Sequence, residues 1–553
     1  MTRSIIDPVT RIEGHLRVEM EVEGGVVTDA WVSGGCFRGM ELVVQNRTPE
    51  DAAHIVQRIC GVCPVSHSHA STIAAEKAYG ITIPNNARII RNLIEGGQFL
   101  HSHILWFYTL TALDYVNPIN ALNANVADAL DLAQAAGTSC QSDLKALKEK
   151  LQTFANNGQL SIFSGGWFLD SNVAKEFTLG AELDLICTAH YIEALTMQAK
   201  ASEICALLGG KMPHVMTIVP GGTSFVPTEE KLDDLWSLVR ELRDWVKATI
   251  IQDTKAIAPA YKAALTFGKG CGRYISWGVF EEPSFEMSKR YLPSGVIDEN
   301  LNLSEVNEDL IKEYIGHSWY VGDSELNPRE GVTEPQFTEY YKGNTTVIND
   351  RYSWAKSPNY DGKPMEAGPF SRVLAAYLRG NKTIKSLLDG LMSDLGLSVS
   401  QLQSTLGRVA ARQVETVYLA DKMVEWVDEL IEAVKGGDSE YFRAPQTITG
   451  SGTGFWEAPR GALYHTEHVD NGKISGYQII IPTTWNIAPR NKDGVPGPME
   501  QALIGTPVSN VEMPINALRT VHSFDPCTAC AVHVSEPSTG KHFETVTSPW
   551  GVK

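Results

Sequence analysis

The stretches RICGVCPVSH at 58–67 and SFDPCTACAVH at 523–533 decide how this chain has to be read. Each carries a Cys-x-x-Cys pair, Cys60/Cys63 and Cys527/Cys530. Two pairs of soft thiolates suit a metal held between the ends of the chain, although spacing alone does not name that metal. In a zinc ribbon such pairs stand about 15–20 residues apart. Here the first cysteines are 467 residues apart, 527 less 60. A metal bound this way does not staple a small loop; it sits inside a large fold that the rest of the chain builds first.

Composition bounds the fold and its partners. A chain of 553 residues forms one large core or several domains. Its 43% hydrophobic and 20% charged residues are ordinary globular values. A net charge of −18 repels phosphates and sets the chain against nucleic acid, leaving a protein partner open. Nine cysteines are too few for a disulfide framework in a chain this long. Cys36, Cys140, Cys187, Cys205 and Cys271 read as buried small hydrophobes. No apolar run reaches the ~18 residues of a membrane span, so no direct span is expected. MTRSIIDPVTRIEGH at 1–15 lacks an apolar h-region, so any export is expected to proceed as the passenger of another subunit.

Residues 15–34 read as a hairpin. Leu16, Val18, Met20 and Val22 alternate with Arg17, Glu19 and Glu21, and Gly24-Gly25 turns the chain. RIEGH places Glu13 at the foot of a strand, where residue statistics alone read a solvated carboxylate. Pro64 after Cys63 predicts a helix start, which sets the Cys63 sulfur near a helix N-terminus that favours thiolate. Apolar periodicity at 86–116, 183–209, 229–265 and 400–435 predicts long helices too apolar for a surface, hence a central bundle. Residues 267–370 read as an irregular, partly β excursion, and 440–500 as turns and strands. The expected class is mainly α (α+β): one large domain with a helical core and peripheral hairpin and strand regions.

RIEGH at 11–15, RICGVCPVSH at 58–67, EAPRG at 457–461 and DPCTACAVH at 525–533 together resemble the signatures of the large, catalytic subunit of [NiFe] hydrogenases. HILWFYTLTALDYV at 103–116, GGKMPH at 209–214 and the terminal tail carry the likeness along the whole chain. The resemblance implies that subunit's fold and reversible heterolytic oxidation of H2 to protons and electrons. It implies a Ni–Fe centre in which all four cysteines hold nickel. Cys60 and Cys527 are terminal ligands, while Cys63 and Cys530 bridge to an iron carrying CO and two cyanides. Four thiolates make nickel electron-rich and able to change oxidation state, which zinc cannot do. Selenium-containing relatives carry selenocysteine where this chain has Cys527, so the plain nickel–iron type is implied.

By the same resemblance the Cys527 thiolate is the base that passes a proton to Glu13, a relay suited to a carboxylate whose pKa partial burial raises. Arg460 matches the arginine over the open face of the cluster, able to polarise hydrogen and balance anionic charge. The plain alternative is a surface or ion-paired arginine. Asp525 is expected to hold that guanidinium by a charge-assisted hydrogen bond. His67, one helical turn after Cys63, is expected to hydrogen-bond a bridging sulfur without ligating, and His69 to be a bystander. The family pattern has an aspartate where this chain has Ser102, so one carboxylate partner of Arg460 is missing or replaced by a hydroxyl.

A second metal, Mg2+, is implied on the Glu41 carboxylate, the Ile479 carbonyl and the His533 ring; the plain alternative for Glu41 is a solvated helix-terminal acid. The tail implies maturation. By the same resemblance, nickel-insertion factors would load the metal and a dedicated endopeptidase would then cut after His533, removing 534–553 and leaving one domain over 1–533. No spare cysteine motif remains for an iron–sulfur wire. A small subunit carrying the Fe–S clusters is therefore expected, in a heterodimer or a dimer of heterodimers with a large apolar interface. Its export signal would make the pair periplasmic or membrane-associated, with a cytoplasmic home as the alternative. Three other readings compete. A hydrogen sensor with the same cluster generally lacks the tail. A cluster-free relative such as the quinone-site subunit of respiratory complex I has lost the four cysteines. A structural four-thiolate zinc protein would hold zinc alone.

Overall fold

Near the N-terminus, Thr2–Ile6 (β1), Leu16–Glu23 (β2) and Val26–Gly34 (β3) form an antiparallel sheet. The predicted hairpin is β2–β3, turned by Gly24 and Gly25 at φ 61° and 79°. Leu16, Val18 and Met20 face inward and are fully buried. β1 adds a strand that the sequence reading left out. The computed structural model describes residues 2–138, 141–160, 173–338, 350–445 and 447–528. Cys140, Cys530, His533 and the tail 534–553 lie outside these.

Helix α1 (Pro64–Tyr79) starts where Pro64 predicts, with Cys63 as its N-cap and Gly80 ending it in the left-handed conformation at φ 67°. Nearly all its residues are buried. The predicted helix over 86–116 is α2 (Asn85–Ile104), which widens into a π-helical stretch, Leu105–Thr111, and ends in a 3-10 turn, Ala112–Asp114. Such π segments often lie beside functional sites. The remaining predicted helices are α3 (Ala181–Gly209), α4 (Glu229–Ala260) and α5 (Thr405–Lys435). Gly96-Gly97 lets α2 wedge between two of them. A Cβ on Gly96 would meet Met423 Sδ of α5 at 2.2 Å, and one on Gly97 would meet Ile204 and Cys205 of α3 at 3.1 Å. These helices share one apolar core, so the central bundle is present.

After α5 come Gly450–Ala458 (β4), Gly461–Asp470 (β5) and Lys473–Ile480 (β6), an antiparallel sheet lying against α1. The contact is made by small residues on both sides. Cβ atoms on Gly450, Gly452 and Gly454 would fall 2.3, 2.0 and 1.9 Å from the carbonyl oxygens of Ala78, Ala74 and Ala70. Four helical residues advance about 6 Å and two strand residues about 6.6 Å, so the alanine and glycine repeats stay in step. Residues 267–370 form short strands in two four-stranded sheets, as expected of a partly β excursion. Cys187, Cys205 and Cys271 are buried, whereas Cys36 is half-buried. It follows β3 at the rim of a small aromatic cluster around Trp319 and Trp354 rather than within the main core. Among the described residues no helix is long and apolar enough to cross a membrane.

Candidate metal centre

A 3-10 turn, Val56–Ile59, delivers Cys60, and the next turn of chain brings Cys63 to the start of α1. The N–H groups of Val62 and Cys63 both donate to Cys60 Sγ at 3.2 Å, hydrogen bonds that favour thiolate. From the other end, a helix α6 (Ile515–Ser523) leads through Asp525 to Cys527. Cys60 Sγ and Cys527 Sγ are 3.3 Å apart, and Cys63 Sγ completes a buried group lying within 4.8 Å of one another. The 3.3 Å separation is too long for a disulfide, whose bond is about 2.05 Å. A buried set of sulfurs drawn from residues 467 apart fits a thiolate-bound soft or borderline metal. Cys530 lies outside the described residues.

Glu13 is not the solvated carboxylate that statistics favour. It is half-buried, and its Oε2 lies 3.4 Å from Cys527 Sγ. A short parallel bridge pairs residue 13 with residue 527, and Glu13 O accepts from both Thr528 N (2.7 Å) and Thr528 Oγ1 (3.0 Å). Packing of the two chain ends against each other decides this, and composition near Glu13 carries no sign of it.

Arg460 sits in the turn between β4 and β5, fully enclosed. Its Nε and Nη2 both lie 3.0 Å from Asp525 Oδ1, the pairing expected from the sequence. Its Nη1 points at Ser102 Oγ, 3.4 Å away, so the hydroxyl occupies the place where the family pattern has a carboxylate. Burial works against the charge of Arg460, but Asp525 and the three cysteines hold its pKa well above the ordinary value. Of the plain alternative, the surface half is excluded by burial, while the ion-paired half is met by Asp525.

Sequence reasoning missed Arg412. It stacks on Trp106 at 3.9 Å and brings Nη2 to 3.7 Å from the second oxygen of Asp525. Burial lowers it to about 10, with Asp525 opposing and Arg460 assisting. The signal was there in GRVAARQVE at 407–415, which puts Arg408, Arg412 and Glu415 on a helix otherwise apolar enough to be buried. Buried charges in such a helix need partners. Arg372 pairs with Glu415 and Glu457 in the same interior.

His67 is fully buried, and burial lowers it to about 4. Its Nδ1 lies 3.2 Å from His465 Nε2, and His465 in turn meets Tyr477 OH at 2.7 Å. His67 Nε2 has no hydrogen-bond partner among the described residues, so the expected bond to a bridging sulfur is not made to Cys63. The other bridging sulfur, that of Cys530, lies outside them. His69 faces Glu95 Oε2 at 3.3 Å and lies against the Trp456 ring, 4.1 Å between centroids.

Glu41 and Ile479 are neighbours, but the contact is the Ile479 N–H donating to Glu41 Oε1 at 2.9 Å, not the Ile479 carbonyl expected as a ligand. Thr333 donates to Oε2, and the buried Lys356 ammonium lies 3.9 Å from Oε1. This part of the set offers one half-buried hard carboxylate, already balanced by a cation; His533 lies outside the described residues.

The comparisons settle the class. The nickel-dependent hydrogenase sequence pattern matches residues 38–533, and a HoxL-like pattern matches 4–33. This chain belongs to the nickel-dependent hydrogenase family. It is similar to the hydrogenase-2 large chain of Escherichia coli K12, at 39% identity over 96% of this chain and 97% of that one. The uptake hydrogenase large subunit of Bradyrhizobium diazoefficiens is 38% identical, over 97% and 96%. Among solved structures it resembles the Ni-Fe-Se hydrogenase of Desulfovibrio vulgaris Hildenborough, with TM-score 0.79, 34% identity and coverage of 96% of this chain and all of that one. As a hydrogenase of this family the chain is an oxidoreductase with the large-subunit α+β fold, and the sensor and zinc readings are not favoured.

Proposed function

We propose that Cys60, Cys63 and Cys527, joined by Cys530, hold a Ni–Fe centre with CO and two cyanides on iron, and that H2 is split there heterolytically. One observation carries this: three buried sulfurs from opposite ends of the chain meet, with a carboxylate 3.4 Å from one of them. When bound, the centre supplies the redox change and the acceptor for the electron pair of H2. The chain's residues do the rest. Cys527 Sγ takes the proton and Glu13 Oε2 receives it, a distance short enough for direct transfer through a modest movement. Arg460, fixed by Asp525, holds a permanent positive charge beside the sulfurs and offsets their anionic charge. Burial of all three cysteines to 1% exposure or less excludes bulk water.

Electrons leave through a small subunit with Fe–S clusters, consistent with relatives named as large chains or large subunits. The family likeness supports Mg2+ on Glu41, the Ile479 carbonyl and His533, and such an ion would have to replace the Thr333 and Lys356 contacts that Glu41 makes. Cleavage after His533 by a maturation endopeptidase is proposed to follow nickel loading. Intact-mass measurement of active enzyme is expected to end the chain at His533, and retention of Lys553 would refute this. Periplasmic or membrane-associated placement follows the partner's signal and is checked by fractionation.

The main test pairs hydrogen-dependent dye reduction with nickel and iron analysis, with and without Cys527→Ala. Zinc alone in the wild type would overturn the proposal. Glu13→Gln is expected to leave the metals bound and stop H/D exchange; exchange at the wild-type rate would remove Glu13 from the relay.

A further inference from the structure

The motif HILWFYTLTALDYV at 103–116 belongs to the family likeness, yet nothing above uses its aspartate. Asp114 is wholly buried in the 3-10 turn after the π-helical stretch. Its two oxygens reach the two ends of the chain. Oδ1 lies 2.5 Å from Arg11 Nη2, two residues before Glu13. Oδ2 lies 2.6 Å from His522 Nδ1, five residues before Cys527. The contacts are doubled on each side. Arg11 Nη1 also donates to Leu110 O at 2.7 Å, and Arg519 Nε donates to Asp114 O at 2.9 Å. His522 Nε2 lies 2.8 Å from Thr10 O, so this ring ties the two chain ends directly.

Both nitrogens of His522 face oxygens, Asp114 Oδ2 on one side and the Thr10 carbonyl on the other, so the ring bridges the two. Asp114 therefore sits between the Arg11 guanidinium and the His522 ring. Burial would raise its pKa, but Arg11 and His522 hold it down at about 2. Arg11 has a left-handed backbone at φ 55°, a conformation that a non-glycine keeps only when its surroundings hold it. Two residues further on, Glu13 meets Cys527.

We propose that Asp114 is a positioning residue for proton transfer, setting the approach of Glu13 to Cys527 by clamping Arg11 and His522 to one carboxylate. This rests on the Cys527–Glu13 relay proposed above. The test uses the assembled holoenzyme carrying Asp114→Asn, an isosteric change that removes the charge. Nickel and iron content, H/D exchange per bound nickel and its solvent isotope effect are measured together. Retained metal, exchange per nickel lowered about tenfold or more, and a larger isotope effect are expected, because misplacement approaching 1 Å is costly at a reacting pair. Unchanged exchange per nickel, whatever the loss of thermal stability, would overturn the clamp. Should Asp114→Asn fail to assemble, Arg11→Lys decides by the same readouts, since it keeps the charge but cannot reach both Asp114 and Leu110 O. Glu13→Gln run alongside separates the two ideas. Exchange lost there but kept in Asp114→Asn overturns the clamp alone, and exchange kept in both overturns the relay itself.

Discussion

Adding one methyl group at Gly454 tests whether the glycine track of β4 sets the position of Cys63. The new Cβ falls 1.9 Å from Ala70 O, whereas Cβ atoms essentially never come within 3.0 Å of a neighbour, so α1 must retreat by about 1.1 Å. The obstacle is a mid-helix carbonyl and cannot swing aside as a side-chain tip would. Ala70 lies seven residues after Cys63 on a rigid helix, so the displacement reaches the ligand. Metal–ligand distances hold within about 0.2 Å, roughly a fifth of that displacement. Overpacking costs about 1–3 kcal/mol, which a chain of this size survives. The expected product is therefore a folded protein that binds little nickel. Nickel and iron per chain are measured by elemental analysis, with circular dichroism and thermal unfolding as the check on folding. Gly390→Ala is the control. It lies in the helix Lys382–Leu395 where a Cβ meets nothing within 4 Å, and it should keep full nickel while gaining up to about 1 kcal/mol. Full nickel loading and wild-type dye reduction in Gly454→Ala would refute the reasoning.

Asp525→Asn removes the carboxylate shared by Arg460 and Arg412, leaving both buried cations short of an anion. The expected cost is about 3 kcal/mol, the lower end for a broken buried pair because the nearby thiolates still balance Arg460; denaturant unfolding measures it, and a loss below 1 kcal/mol would mean that Asp525 is not the main counter-charge. Glu467 is buried, lacks a hydrogen-bond partner for either oxygen among the described residues, and is raised to about 8 by burial and then by Glu50. The folded protein therefore keeps a proton that the unfolded chain releases above about 4.5, so this group's stabilisation is full in acid and is lost as pH rises toward about 8. Glu467→Gln should flatten that decline and be more stable than wild type at pH 8; parallel stability–pH curves would count against it.

The elements were legible because their signals are local. Pro64 marked the start of α1, alternation marked β2, the Gly24-Gly25 turn marked the return into β3, and apolar periodicity marked α2 to α5. The π-helical stretch at Leu105–Thr111 was not legible, because tertiary packing around Trp106, enclosed by Arg412 and the His522 carbonyl, overrides the local preference of the sequence there. Within the site, Arg460 with Asp525 and Cys60 with Cys527 followed from the family likeness. Arg412, His465 and Asp114 did not.

The sequence by itself determined the chemistry on offer: four soft thiolates in two spaced pairs, an arginine, a glutamate, and the helices and strands that carry them. Only the tertiary structure decided who meets whom. It turned Glu13 from a surface acid into a neighbour of Cys527, put Ser102 before Arg460, and made Asp114 the common partner of Arg11 and His522. Periodicity reports which face of an element is buried, but contacts between residues 65 to 514 positions apart depend on how whole elements pack, and no local pattern encodes that.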